Sequence, residues 1–150
     1  MPRDRAHGTV VVAASVEEVL LVLRDVAAQP RWVPEITSVE VLEEYEDGTV
    51  ATAAFELVTR IGSDSYTLEY EHADDGMSWT LVEGAMLKAQ DGSYRLVDVG
   101  GDGTEVRFEL VVEHSLHAPG FIRRRVFDGF VSGALHGLKT YVETPLSRRS

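Results

Sequence analysis

The chain has 150 residues, no cysteine and a formal net charge of −11, and 44% of its residues are hydrophobic. This length fits a single domain, residues 1–150, and the composition excludes a disordered chain, a disulfide scaffold and any site that needs a thiolate. The acidity argues against nucleic-acid binding, because phosphate contacts need lysine and arginine, and the lack of a long apolar stretch or secretory signal predicts a cytoplasmic protein.

The N-terminal segment predicts a strand followed by a short helix. Residues 7–14 form a Val-rich run that is typical of a first strand. Residues 15–18, Ser-Val-Glu-Glu, form a capping box, and the apolar spacing that follows predicts a helix ending near Ala28. Pro30 and Pro34 then indicate a turn or one short helical piece, because proline restricts the residue before it.

From residue 35 to 116 the apolar residues recur at every second position. Asp-Gly or Gly-rich turns interrupt this alternation about every 12 residues, so we predict six consecutive antiparallel strands with one apolar face and one charged face. The Gly-rich segment 100–103 joins two of these strands and is interpreted as a turn. The predicted inward face is aromatic and aliphatic, and consists of Phe55, Leu57, Tyr66, Leu68, Tyr70, Trp79, Leu81, Tyr94, Leu96 and Phe108. Ala51 and Ala53 share this face and favour open space beside it.

Residues 119–143 predict one long C-terminal helix, delimited by Pro119 and Pro145. Its apolar residues form one broad stripe that includes Phe127 and Phe130. The acidic residues are concentrated before residue 117, whereas the C-terminal segment carries net positive charge. The order of elements is therefore strand, short helix, six antiparallel strands and long helix, which is an α+β arrangement.

Three segments of the chain, and the order of its elements, resemble the START-like or SRPBCC superfamily. The resemblance is to its polyketide cyclase/dehydrase and coenzyme-Q-binding group in particular. The three segments are SVEEVLLVLRDVAAQPRWVPEITSVEVLE at 15–43, DGSYRLVDVGGDGTEVRFELVVE at 91–113 and ALHGLKTYVE at 134–143. The resemblance implies a helix-grip fold: a curved antiparallel sheet of about seven strands wrapped around the C-terminal helix, with one or two short helices after strand one. It also implies a cavity for an apolar ligand in a bacterial protein.

We expect the ligand-binding residues on the inward face, on the facing helix and at the proline-flanked tryptophan. They are Trp32, Phe55, Tyr66, Tyr70, Trp79, Tyr94, Phe108, Phe127 and Phe130. Mostly apolar walls with a few polar groups are typical of small-molecule pockets. The same side chains could instead fill an ordinary core. Trp32 occupies a position that resembles the family's entrance region, where it could gate the cavity or plug the gap between helix and sheet.

Polar residues offer weaker candidates for chemistry. His72, Glu83 and His114 share the inward parity, where an acid or base could act, but all three lie near predicted strand ends with solvent close by. His114 and His117 have no obvious third metal ligand, so no metal is predicted. No catalytic residue is assigned and no cofactor is expected, because the chain lacks the nucleotide-binding and hydrolase motifs.

Residues 123–125, Arg123, Arg124 and Arg125, form one basic cluster. It is interpreted as a solvated face or a set of salt bridges that could also touch anionic lipid head groups in transient contact with a membrane surface. The leading function is a carrier or sensor that binds a lipid, quinone or polyketide. The alternatives are a polyketide aromatase/cyclase that uses Tyr66, Tyr70 or His72, and a protein-interaction module that uses the acidic sheet exterior.

Overall fold

The computed structural model describes residues 3–149, and its elements follow the predicted order. Seven strands and two α-helices account for most of the chain. Their bounds are β1 (Arg3–Val12), α1 (Val16–Arg24), β2 (Ile36–Glu44), β3 (Val50–Thr59), β4 (Gly62–Ala73), β5 (Gly76–Gly84), β6 (Leu87–Gly100), β7 (Gly103–His114) and α2 (Gly120–Glu143). Two 3₁₀ helices lie at Val26–Arg31 and Leu146–Arg148.

The strands form one curved antiparallel sheet in the order β1-β7-β6-β5-β4-β3-β2. Each strand from β2 to β6 pairs with the next strand in the chain, which confirms the predicted series of hairpins. The first strand instead pairs with the last, from Arg3 opposite Glu113 to Val12 opposite Thr104. As a result β1 and β2, which are neighbours in sequence, form opposite edges of the sheet.

The first strand and the first helix differ from their predicted bounds. The strand spans Arg3–Val12 rather than residues 7–14, because its pairing with β7 extends back to Arg3. Helix α1 begins as predicted, with the Glu18 amide donating to the Ser15 hydroxyl at 3.2 Å. It ends at Arg24 rather than near Ala28, because the Asp25 amide is shared between two carbonyls and the chain tightens into the 3₁₀ helix.

The turn between β6 and β7 is built by left-handed backbone, as the Gly-rich segment 100–103 predicts. Gly100, Gly101 and Asp102 have φ angles of 83°, 61° and 60°. Glycine adopts this region at little cost, and aspartate tolerates it better than most residues. The segment therefore serves to reverse the chain.

Helix α2 lies on the concave face of the sheet and packs chiefly against β1. Its fully buried residues belong to the predicted apolar stripe; they are Phe127, Val131, Ala134, Leu135, Leu138 and Val142. Gly8 of β1 allows this close packing, because an added Cβ there would lie 3.0 Å from Leu135. None of the helices in residues 3–149 contains an apolar stretch of the length that a bilayer requires.

Candidate ligand-binding site

The inward face predicted from alternation forms the core between the sheet and α2. Seven of its aromatic residues are buried on α2 and the five strands β3–β7: Phe55, Tyr66, Tyr70, Trp79, Tyr94, Phe108 and Phe127. Phe130, one turn further along α2, is half-buried. Leu57 and Leu81 are partly buried and pack against the same core. The period-two pattern therefore identifies one continuous surface.

The aromatic rings on this surface contact one another from β3 to β7. Phe55 stacks on Tyr66 with ring centroids 5.3 Å apart, and Tyr70 contacts Trp79 at 5.8 Å. Trp79 continues the series toward Tyr94 and Phe108. Aromatic pairs at these separations are each worth about 0.5–1.5 kcal/mol beyond the burial of their area. The concave face is thus a connected aromatic wall.

Two internal cavities remain between this wall and the N-terminal half of α2. The first has a volume of about 30 Å³ and the second of about 40 Å³. Both are lined by Tyr66, Gln90, Leu110 and Phe130, so they lie next to each other. Pockets that enclose drug-sized ligands measure roughly 300–1,000 Å³. Side chains therefore fill most of the space in this conformation.

The predicted site residues divide between these cavities. The first is lined by Phe55, Tyr66, Tyr70, Trp79, Tyr94, Phe108 and Phe130. The second is lined by Tyr66, Phe127 and Phe130, together with aliphatic residues of the sheet and of α2. Eight of the nine residues predicted to bind a ligand thus line one cavity or both.

Trp32, the ninth, lies outside both cavities. Its side chain is 3% exposed, and its ring meets Tyr94 edge-on at 6.3 Å. The indole nitrogen is buried and makes no hydrogen bond within residues 3–149. Its backbone carbonyl lies against Gly137 of α2, where an added Cβ would come within 1.9 Å. Trp32 therefore joins the 3₁₀ segment to the sheet and to α2.

Gln90 is a cavity residue that does not belong to the predicted inward face. Its side-chain oxygen accepts a hydrogen bond of 2.8 Å from the Trp79 indole, and both groups are buried. Gln90 lines both cavities, so its amide places a polar group on a mostly apolar wall. It has the same parity as Tyr94 and Leu96, and extending that alternation backward by four residues would have identified it.

The three tyrosines of the wall are held in their neutral form. Burial raises the pKa of Tyr66, and the nearby Asp64 carboxylate adds to this effect. Burial also raises the pKa values of Tyr70 and Tyr94. For Tyr70 the neighbouring Gln29 side chain acts in the opposite direction without cancelling the effect of burial. These hydroxyls are therefore suited to donate hydrogen bonds and unsuited to act as bases at neutral pH.

His72 lies beside the aromatic wall and does not line either cavity. Its Nε2 is 2.8 Å from the Val50 carbonyl oxygen, and its ring stacks on Tyr70 with centroids 6.0 Å apart. The contact with a carbonyl places the proton on Nε2. The Nδ1 atom is then an acceptor, and it is buried without a partner among the described residues.

Glu83 does not point inward, so its predicted orientation is wrong. Thr67 pairs with Glu83 while Leu68 pairs with Leu81, so β5 has one extra residue at Val82. This β-bulge reverses the faces of the residues beyond it. Glu83 is exposed and lines a groove on the opposite, acidic face of the sheet, together with Glu40 and Glu56.

His114 lies at the end of β7 as predicted, but solvent does not reach it: the residue is 0% exposed. Its Nε2 is 2.6 Å from Oδ2 of Asp4, and its Nδ1 accepts a hydrogen bond from the Leu116 amide. Arg123 donates to the same Asp4 oxygen at 3.1 Å. Both ring nitrogens are thus engaged within the protein, whereas His117 is exposed.

The arginine cluster is divided by this arrangement. Arg123 is held by Asp4 and by the Ala118 carbonyl, to which its guanidinium donates at 2.6 Å. Arg124 and Arg125 are exposed, and no ion pair within the described part of the chain includes either of them. Only two of the three cations are therefore available to a partner.

Comparison with known proteins identifies the fold and the family of the chain. No curated protein matches the chain in sequence. A START superfamily protein from Mycobacterium smegmatis is 25% identical over 93% of this chain and 97% of its own, with a TM-score of 0.83. The Zhui aromatase/cyclase from Streptomyces sp. R1128 is 16% identical over 95% of this chain and 94% of its own, with a TM-score of 0.79.

A third similar structure is the STAR-related lipid transfer protein from Xanthomonas axonopodis. It is 18% identical over 92% of this chain and 85% of its own, with a TM-score of 0.70. The sequence profile of the family described as polyketide cyclase / dehydrase and lipid transport matches residues 3–143. The curved sheet, the long helix and this match together show that the chain belongs to the polyketide cyclase/dehydrase and lipid transport family of START-like proteins.

Proposed function

We propose that the protein is a carrier or sensor that binds a hydrophobic small molecule, such as a lipid, quinone or polyketide, between the sheet and α2. The observation that carries this proposal is the pair of adjacent cavities on the aromatic wall, which share Tyr66, Gln90, Leu110 and Phe130. A mostly apolar lining with a few polar groups suits such a ligand. The family's description, which includes lipid transport, adds support.

Binding requires the cavities to widen, and Phe130 is the side chain best placed to move. It lines both cavities, is half-buried and contacts Phe108 only edge-on at 6.5 Å. The backbone of the strand residues around it is held by the hydrogen bonds of the sheet. Rotation of Phe130 away from the wall would join the two spaces, so the ligand takes the place of this ring.

Native mass spectrometry of the purified protein, followed by solvent extraction, tests the proposal. We expect a bound apolar molecule, or saturable binding of an apolar fluorescent probe by the extracted protein. A protein that carries nothing after purification and binds no such probe would contradict the proposal.

Phe130→Ala should tighten probe binding, because the truncated side chain leaves its volume to the ligand. Phe121→Ala is the matched control, since Phe121 is an exposed phenylalanine of the same helix.

A second candidate is a polyketide cyclase, which one feature of the wall favours. Tyr66 lines both cavities, and its raised pKa keeps the hydroxyl protonated, ready to donate to a substrate carbonyl. Cyclisation of a poly-β-ketone chain by the wild-type protein should then fall in Tyr66→Phe, with substrate binding retained. Equal turnover by the two proteins would remove Tyr66 from the reaction, and no turnover by either would leave binding as the function.

A transient contact with anionic membranes is a further part of the proposal. It depends on Arg124 and Arg125, because Arg123 is engaged by Asp4. The wild-type protein should sediment with vesicles that contain phosphatidylserine. The double variant Arg124→Gln/Arg125→Gln should stay in the supernatant. Equal recovery with neutral vesicles would rule out an electrostatic contact.

A further inference from the structure

A surface groove runs beside the N-terminal half of α2, next to the turn between β3 and β4. Its volume is about 580 Å³, within the range of pockets that hold small ligands. Val58, Ile122 and Val126 supply apolar walls. Gly129 also lines the groove, and an added Cβ there would meet nothing within 4 Å. The helix therefore leaves open space at this point.

The groove adjoins the interior cavities. Thr59 and Val126 line the groove on one side and the second cavity on the other. The second cavity in turn adjoins the first through Tyr66 and Phe130. Groove and cavities thus lie next to one another, and the groove is on the solvent side.

The groove also carries charge that the protein itself does not neutralise. Arg60, in the turn between β3 and β4, and Arg125, on α2, both line it and are exposed. Neither takes part in an ion pair within residues 3–149. Glu35 supplies the one opposing charge, and its buried Oε1 has no hydrogen-bond partner among the described residues. Two guanidinium groups against one carboxylate leave the groove net positive.

We infer that this groove holds an acidic head group of the hydrophobic ligand, a carboxylate or a phosphate, while the apolar part extends toward the cavities. This inference rests on the proposed function. Arginine suits the role because its planar guanidinium presents paired donors to carboxylate and phosphate oxygens. Its side chain also remains charged at any physiological pH.

The experiment compares three ligands that share one alkyl chain: decanoic acid, decyl phosphate and decanol. Their affinities are measured by calorimetry for the wild type, Arg60→Gln/Arg125→Gln and Arg124→Gln. Arg124 is the matched control, because it is an exposed neighbour of Arg125 that does not line the groove. We expect at least one acidic ligand to bind the wild type about tenfold more tightly than the alcohol, as charge-assisted hydrogen bonds allow.

The double variant should lose most of this preference, whereas Arg124→Gln should keep it. Glu35→Gln should raise the affinity for the acidic ligands, because it removes the opposing negative charge from the groove. The acidic ligand that binds more tightly identifies the head group, and raising the salt concentration should shrink the preference because the two arginines are exposed.

The inference and the proposed function fail in different ways. Equal affinity for acids and alcohol, unchanged in the double variant, would overturn the head-group inference and leave hydrophobic binding intact. An acid preference that persists in the double variant would likewise remove Arg60 and Arg125 from the site. If neither acid nor alcohol binds the wild type, the proposed function itself fails.

Discussion

Nε2 of His114 lies 2.6 Å from Oδ2 of Asp4, although 110 residues separate them in the chain. The Leu116 amide donates to Nδ1, so the imidazole carries its proton on Nε2 and donates it to the carboxylate. Arg123 binds the same oxygen from α2. The contacts among Asp4, His114 and Arg123 therefore connect the start of α2 to both β1 and β7. Phe127, which lines the second cavity, packs on the same imidazole at 5.5 Å.

Removal of His114 should be costly. In His114→Ala the Asp4 carboxylate, which is 5% exposed, loses one of its two partners and borders an empty space. Loss of a buried hydrogen bond to a charged group costs about 1.5–3 kcal/mol, and the space left by the ring adds to this loss. Urea unfolding measures the loss. Arg107→Ala breaks the exposed pair with Glu105 and should cost no more than about 1 kcal/mol. Similar losses in the two variants would contradict a structural role for His114.

Replacing each of two glycines of α2, one turn apart, by alanine should change the stability of the protein in opposite directions. At Gly133 an added Cβ meets nothing within 4 Å, so Gly133→Ala should stabilise the protein by about 0.5–1 kcal/mol through helix propensity. At Gly137 the Cβ would lie 1.9 Å from the Trp32 carbonyl oxygen, so Gly137→Ala must push the helix away and destabilise the protein. Thermal unfolding of both variants gives the signs, and a stabilised Gly137→Ala would refute the contact.

Alkaline pH should unfold the protein through its buried tyrosines. Below the ordinary tyrosine pKa of 10.0, both the folded and the unfolded chain keep these hydroxyls protonated, and stability is unaffected. Above it the unfolded chain ionises while Tyr66, Tyr70 and Tyr94 resist, so stability falls as pH rises.

Phenolate absorbance distinguishes the buried tyrosines from the others. Three of the five tyrosines should ionise only together with unfolding, as followed by circular dichroism. Tyr66→Phe should reduce the steepness of the stability loss above pH 10, since one fewer group is linked to it. Five tyrosines that titrate freely in the folded protein would contradict their burial.

The two tryptophans should report ligand binding differently. Trp79 lines the first cavity, whereas Trp32 lines neither cavity. An apolar ligand that enters should therefore change the emission of Trp32→Phe, in which Trp79 remains, and leave that of Trp79→Phe nearly constant. Calorimetry checks that each variant still binds the apolar ligand. The opposite pattern would place the ligand on the side of Trp32.

Alternation of apolar residues predicted the architecture because each strand buries one face. The aromatic positions from Phe55 to Phe108 could be assigned inward, because the bulge in β5 comes after Trp79 and the aromatic residues of the other strands keep their parity. The capping box at Ser15 is equally local, because both partners lie within one helical turn. The long stripe on α2 follows from helical periodicity alone.

Features set by contacts distant in sequence could not be predicted. The bulge at Val82, which turns Glu83 outward, has no signal such as a glycine at that position. The burial of His114 depends on Asp4, which becomes its neighbour only when β1 pairs with β7. The small size of the cavities depends on how Phe130 and the aromatic wall interdigitate, and residue type along a strand carries no record of that fit.

The pairing of β1 with β7 constrains how the chain folds as it is made. Ribosomes add about 5–20 residues per second, so the 90 residues between these strands take about 5–20 s to appear. Throughout that time β1 has no partner strand, while the hairpins from β2 onward can already form. Strand β1 is therefore made well before it can be incorporated into the sheet, and a chain stopped before residue 103 leaves this strand unpaired and aggregation-prone.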